Sequence, residues 1–289
     1  MTCASDRTSE LPEARALARR HRLRADKRFG QHFLFDPALL ARIAAAAKPF
    51  EGLRVVEVGA GPGGLTRALL AAGAEVIAIE LDRRCLAALG ELAEAAPGRL
   101  QLLAADAART PLAALAQDRR LVVVGNLPFH ISTVLLARWL RELDAIERMV
   151  LMFQKEVADR LLARPGSGAY GRLTVLAQRQ CRIERLFELA PGAFHPPPKV
   201  RATVLRFHPR ADRLDPPQLA ALEQVTRAAF GQRRKMLKTS LRALGMAPEE
   251  LLARAGVAAN ARAEELGCES FTALARAWAE LNRRRAGAG

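Results

Sequence analysis

The stretch VVEVGAGPGGLT, residues 55–66, decides the fold class of this chain. An apolar run rich in valine is followed at once by closely spaced glycines, and a helical pattern begins at Gly64. Glycines between a strand and a helix permit a tight turn and let the backbone approach a bound nucleotide. The spacing Gly59-x-Gly61-x-x-Gly64 satisfies the dinucleotide-binding pattern, which is weak support when it stands alone. The stretch therefore indicates a nucleotide-binding α/β domain.

The alternation of strands and helices continues after this stretch. Continuous Val, Ile and Leu runs are typical of strands that are covered on both faces, so we predict a doubly wound, Rossmann-like parallel sheet. The predicted strands are residues 53–58, 75–80, 100–106, 121–126 and 148–154. The predicted helices between them are residues 64–72, 83–95 and 133–143. Residues 181–189 and 202–208 are two further strand candidates and predict an antiparallel pair.

The pattern changes after PRADRLDPP, residues 209–217, where amphipathic helices begin and strand signals end. We therefore predict three regions. Residues 1–26 form a basic, flexible N-terminal extension, residues 27–209 the α/β domain, and residues 210–289 a small all-helical C-terminal domain.

The charge of the chain indicates a polyanionic partner. The 289 residues carry 45 Lys and Arg against 30 Asp and Glu, for a net charge of +15 and a pI of about 11.0. Codon bias toward Ala and Arg is the alternative explanation, but the positive charge is clustered as well as large, which favours nucleic acid over an anionic membrane.

The cysteines and the apolar runs predict a cytoplasmic protein. The four cysteines lie far apart and have no partner at metal-binding spacing, so we expect reduced thiols and no metal site. No segment approaches the roughly 18 apolar residues that a membrane span needs. The N-terminal arm is rich in arginine but also contains acidic residues, unlike a transit peptide, so we expect a soluble extension.

Two acidic residues end the second and third predicted strands. Glu80 lies where a carboxylate can accept hydrogen bonds from the ribose hydroxyls, and Asp106 lies where one can accept from an adenine amino group. Either acid alone is better explained as a helix cap or a turn residue. Together with the glycine loop they predict an adenosine-containing cofactor, and NAD, FAD and S-adenosylmethionine all fit this pattern.

The stretch VVVGNLPFHIST, residues 122–133, places an amide, a proline and an aromatic ring at the end of the fourth strand. An exocyclic amine is a weak nucleophile because its lone pair is delocalised into the ring. Asn126 Oδ1 and the Pro128 carbonyl can accept hydrogen bonds from this amine and stabilise the positive charge of the transition state. Phe129 can stack on the base, which is worth about 1–3 kcal/mol. This loop predicts methyl transfer to an amino group.

Several motifs now occur in order: KRFGQHFL (27–34), VEVGAGPGGLT (56–66), IELD (79–82), GNLPFHIST (125–133), FQKEVADRL (153–161), YGRLTVLAQ (170–178), AFHPPPKV (193–200) and FGQRRKMLKTSL (230–241). From about Asp26 to Leu281 the chain resembles the KsgA/RsmA family of small-subunit rRNA adenine N6-dimethyltransferases. The resemblance implies a Rossmann-like S-adenosylmethionine methyltransferase domain followed by a helical rRNA-binding domain.

The resemblance also implies roles for individual residues. Those around the target base are Asn126, Leu127, Pro128, Phe129 and Phe194. Those around the cofactor S-adenosylmethionine are His32, Leu34, Gly59, Glu80, Asp106 and Asn126. Two positions depart from the family pattern: His32 stands where many members carry Asn, and Phe129 where many carry Tyr, so the ring remains but a hydroxyl contact is lost.

Basic residues cluster in two places. The first cluster, the predicted RNA-binding residues, is Arg233, Arg234, Lys235, Lys238 and Arg242. On one helix Arg234, Lys238 and Arg242 would share a face, where like charges repel unless an anion such as a phosphate backbone neutralises them. The second cluster lies near the N-terminus and is a further candidate for RNA contact: Arg19, Arg20, Arg22, Arg24, Lys27 and Arg28.

From the resemblance we expect N6,N6-dimethylation of two adjacent adenosines in the 3′-terminal hairpin loop of 16S rRNA, with S-adenosylmethionine as the methyl donor. The substrate would be the immature 30S particle, late in small-subunit biogenesis, and the enzyme a cytoplasmic monomer that binds no membrane. An Erm-type large-subunit rRNA methyltransferase is one alternative, and a mainly non-catalytic ribosome assembly factor is another. NAD-dependent oxidoreduction is the most distant alternative, because no hydride-transfer acid or base accompanies the glycine loop.

Overall fold

A computed structural model describes residues 13–287 of the protein, in two compact units. Unit 1 comprises the described residues up to Ala158 together with Glu184–His208, and unit 2 comprises Asp159–Ile183 and the described residues from Pro209 onward. The strands are β1 (Phe33–Leu34), β2 (Arg54–Val58), β3 (Val76–Glu80), β4 (Leu100–Ala104), β5 (Leu121–Gly125), β6 (Ile146–Gln154), β7 (Cys181–Leu189), β8 (Phe194–His195) and β9 (Ala202–Pro209). The helices are α1 (Ala14–Arg20), α2 (Pro37–Ala46), α3 (Gly64–Ala71), α4 (Arg83–Ala95), α5 (Ala113–Ala116), α6 (Ser132–Trp139), α7 (Lys155–Leu161), α8 (Arg172–Gln180), α9 (Pro216–Gly231), α10 (Leu237–Ser240), α11 (Pro248–Arg254) and α12 (Cys268–Gly287).

The main sheet has seven strands in the order β4-β3-β2-β5-β6-β9-β7. The five strands from β4 to β6 are parallel, and β9 pairs antiparallel with β6. The order reverses at β2, whose neighbours β3 and β5 lie on opposite sides of it. An open parallel sheet binds its ligands where the strand order reverses, beyond the carboxyl ends of the strands. The predicted doubly wound α/β fold is confirmed, and its switch point lies directly after the glycine-rich stretch.

The central strands are buried because helices cover both faces of the sheet. Residues 121–125 of β5 are all buried, as are those of β3. Strand and helix ends agree with the prediction to within a few residues; the helix expected over residues 133–143, for example, is α6, Ser132–Trp139. Continuous apolar runs are therefore sufficient to locate these elements in a two-sided sheet.

A second, two-stranded sheet was not predicted. β1 pairs antiparallel with β8, with Phe33 opposite His195 and Leu34 opposite Phe194. Each strand is only two residues long, too short for a periodic signal in the sequence. The pairing joins the FGQHFL segment to the loop that contains HPPPKV, two motifs that are far apart along the chain.

The predicted flexible extension over residues 1–26 requires a correction. Residues 1–12 lie outside the described part of the chain, but the part that follows forms α1, whose Leu17 is fully buried in the hydrophobic core of unit 1. Glu91 of α4 binds Arg20 and His21, with distances of 2.6 Å to Arg20 Nη1 and 2.5 Å to His21 Nε2. Apolar burial and these side-chain contacts hold the helix on unit 1, so residues 14–20 are part of the folded domain.

The predicted domain assignment also needs a correction between residues 159 and 183. This segment belongs to unit 2 rather than to the α/β domain. Tyr170 is fully buried, and its ring lies 6.2 Å from that of Phe230, which in turn stacks on Phe271 at 5.4 Å. The aromatic side chains of α9 and α12 thus recruit a segment that lies between two strands of the main sheet in sequence.

The described part of the chain contains no helix that is both long enough and apolar enough to cross a membrane. Three cysteines are free thiols, Cys85, Cys181 and Cys268, while Cys3 lies outside the described residues. Among residues 13–287 no group of three His, Cys, Asp or Glu side chains is arranged to hold a metal ion.

Candidate active site

A cavity of about 390 Å³ opens beyond the carboxyl ends of β2, β3, β4 and β5. Its wall is completed by residues 28–34, which we call the cover segment. Nine predicted site residues line this one cavity: His32, Leu34, Gly59, Glu80, Asp106, Asn126, Leu127, Pro128 and Phe129. The fold therefore brings together residues from four strand ends and from the N-terminal arm, as parallel strand order requires.

The glycine loop is shaped by two positions that a side chain would disturb. Gly61 has a φ of +55° and its N–H donates to Glu80 Oε2 at 2.7 Å. Gly63 has a φ of +86° at the start of α3, and a Cβ there would collide with Leu92. These conformations favour glycine, and they direct the loop around the base of the cavity.

Glu80 is held by its own backbone surroundings. Its Oε2 accepts from Gly61 N–H, and its Oε1 accepts from Asp82 N–H at 2.8 Å. The side chain is buried, and this burial raises the pKa of the carboxyl group. Each carboxylate oxygen has a second lone pair, so Glu80 can still accept from a ligand hydroxyl after its position has been set by the two amides.

Sequence analysis missed a second buried acid in the cavity wall, Glu57 of β2. It is 1% exposed and lines the cavity, and its Oε2 has no hydrogen-bond partner within the described residues. Burial, reinforced by the neighbouring Glu80 carboxylate, raises the pKa of Glu57 to about 8. A single acid in a strand that should be covered on both faces was the signal that could have identified it.

Asp106 lies at the opposite rim of the cavity and is more exposed. Its Oδ1 accepts from the N–H of Ala108 at 2.8 Å, which fixes the turn after β4. The side chain is 37% exposed, and Arg109 Nε lies 3.8 Å from its Oδ2. The carboxylate therefore borders the cavity with accepting capacity left on both oxygens.

Asn126 is fixed by the cover segment. Its Nδ2 donates to the carbonyl oxygen of His32 at 2.8 Å. This bond leaves Oδ1 as the acceptor of the side chain, at the cavity that the Asn-Leu-Pro-Phe loop lines. The orientation of the amide is thus set by a backbone carbonyl more than ninety residues away in the sequence.

The rest of this loop is arranged around Asn126. The Pro128 carbonyl already accepts from Ile131 N–H at 3.1 Å, and one lone pair of that oxygen remains. The Phe129 ring is half-buried, with its centroid 5.8 Å from that of His32. Leu127 is buried beneath the loop and packs rather than presenting a polar group.

The cover segment is held by side-chain hydrogen bonds from two adjacent residues, Gln31 and His32. Gln31 Nε2 donates to Asp82 Oδ2 at 3.0 Å, just beyond β3. His32 Nδ1 lies 2.7 Å from the Pro196 carbonyl and, since a carbonyl can only accept, it donates there. Gln31 therefore shares in positioning the segment, a role that its motif alone did not reveal.

The structure corrects the role of Phe194. We expected Phe194 to be one of the residues around the target base, but it is 3% exposed and lies outside the cavity lining. Pairing of β8 with β1 turns the ring into the hydrophobic core of unit 1. Phe194 therefore packs in the hydrophobic core of unit 1 and does not line the cavity.

The predicted RNA-binding helix over residues 234–242 is also corrected. α9 ends at Gly231, and Met236 is extended and forms an isolated β-bridge with Arg262. Arg234 precedes this bridge and Lys238 follows it, so the two residues do not share a helix face. Both side chains are nevertheless exposed, as are those of Lys235 and Arg242.

Arg233 differs from the other members of that cluster. Its Nε lies 3.1 Å from Glu264 Oε2, and its Nη2 donates to the Gly168 carbonyl at 2.8 Å. Arg233 therefore joins the 159–183 segment of unit 2 to the helical part of that unit. This contact occupies much of the guanidinium group that we expected to bind RNA.

Solved structures share this fold. The chain matches the crystal structure of a dimethyladenosine transferase from Plasmodium falciparum with a TM-score of 0.69 and 24% identity, over 87% of this chain and 98% of that one. It matches the 23S rRNA methyltransferase ErmE with a TM-score of 0.63 and 28% identity, over 86% of this chain and 99% of that one.

Sequence comparisons are more specific. Relatives named ribosomal RNA small subunit methyltransferase A are 55% identical in Paramagnetospirillum magneticum, over 93% of this chain and 95% of the relative, and 53% identical in Rhodospirillum rubrum, over 92% of each. The family model of ribosomal RNA adenine dimethylase matches residues 22–280. The resemblance to the KsgA/RsmA family is thereby confirmed, and the chain belongs to the ribosomal RNA adenine dimethylase family.

Proposed function

We propose that this chain transfers methyl groups from S-adenosylmethionine to N6 of two adjacent adenosines in the 3′-terminal hairpin loop of 16S rRNA, two groups to each base. Its family makes it an rRNA adenine methyltransferase. Relatives that are 50–55% identical are named small-subunit enzymes, which supports 16S over the large-subunit substrate of an Erm-type enzyme. We further propose that it acts as a monomer in the cytoplasm on the immature 30S particle.

One observation carries the proposed chemistry: the Asn126 amide is oriented before any substrate arrives. Because its Nδ2 is engaged by the His32 carbonyl, its Oδ1 is directed as an acceptor. The amino group of adenine is a donor and gains positive charge during methylation. The hydrogen bond from that nitrogen to a fixed acceptor is stronger in the transition state than in the ground state, and such a difference in binding is what lowers the barrier.

The cavity has the donor set that an adenosyl cofactor requires. Glu80 would accept from the ribose hydroxyls, Asp106 would accept from the adenine amino group, and the glycine loop would lie against the cofactor backbone. Glu57 adds a buried carboxyl oxygen without a partner in the same wall. When bound, S-adenosylmethionine supplies an electrophilic methyl group on a sulfonium.

The protein's part in the transfer is positioning and charge stabilisation. Asn126 Oδ1 and the free lone pair of the Pro128 carbonyl would accept hydrogen bonds from the N6 amino group and hold the nitrogen lone pair toward the methyl group. The proton that each methyl group replaces on N6 would leave to solvent. Phe129 would stack on the base. The cover segment would exclude water, which strengthens these hydrogen bonds in the closed site. No general base with a shifted pKa is needed, since positioning and electrostatic stabilisation carry the step.

Asn126→Ala tests this proposal. We expect the rate of methylation to fall by about 10²–10³, the size of effect seen when one transition-state hydrogen-bonding partner is removed. Loss of the bond to His32 should weaken cofactor binding only about fivefold, because one such bond has a net worth of about 1 kcal/mol. Asn260→Ala, at an exposed position of unit 2, is the matched control.

The readout is nucleoside mass spectrometry for N6,N6-dimethyladenosine, with primer extension to locate it, on pre-30S particles from cells that lack the gene. Full activity of Asn126→Ala would contradict the mechanism, and methylation confined to large-subunit rRNA would contradict the substrate. If the wild-type protein bound the particles without methylating them, the assembly-factor alternative would replace the proposal.

A further inference from the structure

We propose that a second cavity of unit 1, the arginine pocket, binds a nucleotide that flanks the target adenosine on the same RNA strand. This proposal rests on the RNA substrate proposed above. The pocket has a volume of about 630 Å³ and lies between α1 and the β1–β8 sheet. Its charged and aromatic lining residues are Arg15, Arg19, Arg22, Arg24, Phe33, Phe35 and His195.

The positive charge of the arginine pocket is not neutralised by the residues that line it. Its lining contains four arginines and no acidic residue. Within residues 13–287 none of these four guanidinium groups has a carboxylate partner, whereas Arg20, on the same helix, pairs with Glu91 at 2.6 Å. Four like charges around one cavity repel each other unless an anion enters. Phosphate groups of a nucleic-acid strand have the charge and the hydrogen-bonding oxygens that arginine binds best.

Aromatic rings make the pocket suitable for a nucleotide rather than for a free anion. Phe35 is half-buried, and the Arg15 guanidinium lies 5.5 Å from its ring centroid. The exposed His195 ring lies 6.4 Å from Phe35 at an angle of 49°. Aromatic and guanidinium planes of this kind are the surfaces on which unpaired bases stack. The pocket thus combines a cationic rim with a stacking surface.

The backbone of Arg22 indicates that its side chain serves a purpose other than ending α1. Leu23 N–H donates to the Ala18 carbonyl at 2.7 Å and Arg22 N–H to the Arg19 carbonyl at 3.0 Å, which together form a Schellman ending. Arg22 occupies the left-handed position of that motif, with a φ of +51°. Glycine is favoured there, so an arginine retains a strained backbone while its guanidinium lines the arginine pocket.

The position of the pocket predicts which nucleotide it holds. His32 and Leu34 line the catalytic cavity, Phe35 lines the arginine pocket, and Phe33 borders both. The two cavities therefore lie on either side of β1 and share one side chain as a wall. An RNA strand that places its target base in the catalytic cavity would extend past Phe33. The adjacent nucleotide of that strand would then enter the arginine pocket.

The first test compares Arg15→Ala/Arg19→Ala, both on α1, where alanine maintains the helix, with the control Arg182→Ala, at an exposed position of β7 outside the arginine pocket. The ligand is an RNA oligonucleotide with the sequence of the 3′-terminal hairpin loop of 16S rRNA, and the readout is fluorescence anisotropy over a series of salt concentrations. We expect the double variant to bind about tenfold more weakly at physiological salt, with the slope of log K against log salt reduced by about 1.4, as for two lost phosphate contacts to a single strand. The control should bind like the wild type.

The second test locates the nucleotide. Single abasic substitutions are placed on either side of the target adenosine, and one of them should weaken binding to the wild type by about 5- to 150-fold, the range for one stacked base. Phe35→Leu should weaken binding to the intact RNA similarly, and the same abasic RNA should then cause no further loss. A cofactor-binding titration should be unchanged in every variant.

The outcomes separate this proposal from the proposed function. If the wild type methylates pre-30S particles but the arginine and Phe35 variants bind the oligonucleotide with unchanged affinity and salt slope, the arginine pocket is refuted and the proposed function stands. If the variants lose binding to phosphatidylglycerol vesicles but not to RNA, the pocket belongs to a membrane surface and the proposal is also refuted. If no small-subunit RNA is methylated by the wild type, the function fails first.

Discussion

Replacing Glu57 with glutamine should change how the stability of unit 1 depends on pH. Glu57 is 1% exposed in the central strand β2, and burial raises its pKa from an ordinary value of 4.5 to about 8. In the unfolded chain the carboxyl group ionises near its ordinary value, while in the folded chain it keeps its proton until about pH 8. The contribution of Glu57 to the free energy of unfolding is therefore fully present below the pKa that it has in the unfolded chain. It is lost as the pH rises toward and through the pKa that it has in the folded chain.

The size of the effect follows from these values. Each pH unit over which the folded state alone retains the proton costs 1.36 kcal/mol. Between pH 6 and pH 8 the wild type should therefore lose about 2–3 kcal/mol of unfolding free energy through Glu57, with little further loss above pH 8. Glutamine has the shape of the protonated acid and cannot ionise, so Glu57→Gln should lack this loss. Glu80, whose pKa is also raised by burial, is present in both proteins.

The assay is urea unfolding at pH 6 and pH 9 in a Trp278→Phe background, which leaves Trp139 as the single tryptophan and a reporter for unit 1. Glu57→Gln should exceed the stability of the wild type by about 2 kcal/mol at pH 6 and by about 5 kcal/mol at pH 9, so that the advantage grows by about 3 kcal/mol between the two conditions. Glu94→Gln, which removes the same charge at an exposed position of α4, is the control. Parallel pH dependence in the wild type and Glu57→Gln would refute the reasoning.

Two further substitutions test the corrected site roles. Phe194→Ala should lower the free energy of unfolding by about 3–5 kcal/mol, because it empties a buried position in the core of unit 1; an unchanged urea midpoint with weaker RNA binding would restore the base-contact role. Arg233→Ala should destabilise unit 2 by about 1–2 kcal/mol through loss of its contacts to Glu264 and Gly168, and its RNA affinity should be unchanged. Lys238→Ala, at an exposed position, should weaken RNA binding and leave the stability of unit 2 unchanged. Thermal unfolding and filter binding measure these two effects, and equal losses of RNA affinity would contradict the distinction.

The glycine loop, Glu80, Asp106 and the Asn126 loop could be predicted together because their positions depend on local order along the chain. Each lies at the carboxyl end of a strand or within two residues of it, and parallel strands present their carboxyl ends at one edge of the sheet. A pattern that locates the strands therefore also locates these residues, and nine predicted residues do line one cavity.

The wrong expectations share a different cause, since each depends on contacts between distant segments. The ring of Phe194 looked available in sequence, and only the pairing of β8 with β1 buries it. Arg234 and Lys238 have helical spacing, but the bridge of Met236 to Arg262 interrupts the helix between them. Residues 159–183 lie between two strands of the main sheet, yet the buried Tyr170 packs against Phe230 of α9.

The sequence by itself determined the doubly wound sheet and the set of strand-end residues that line one cavity, because apolar period and turn residues are local properties that do not depend on long-range packing. The tertiary structure alone decided the orientation of the Asn126 amide and the burial of Glu57. It also decided that four arginines and three aromatic side chains line one pocket beside α1 and the β1–β8 sheet. The contacts of His32 with Asn126 and with Pro196 join segments that are 94 and 164 residues apart in the sequence. Long-range packing, not local pattern, determines such contacts.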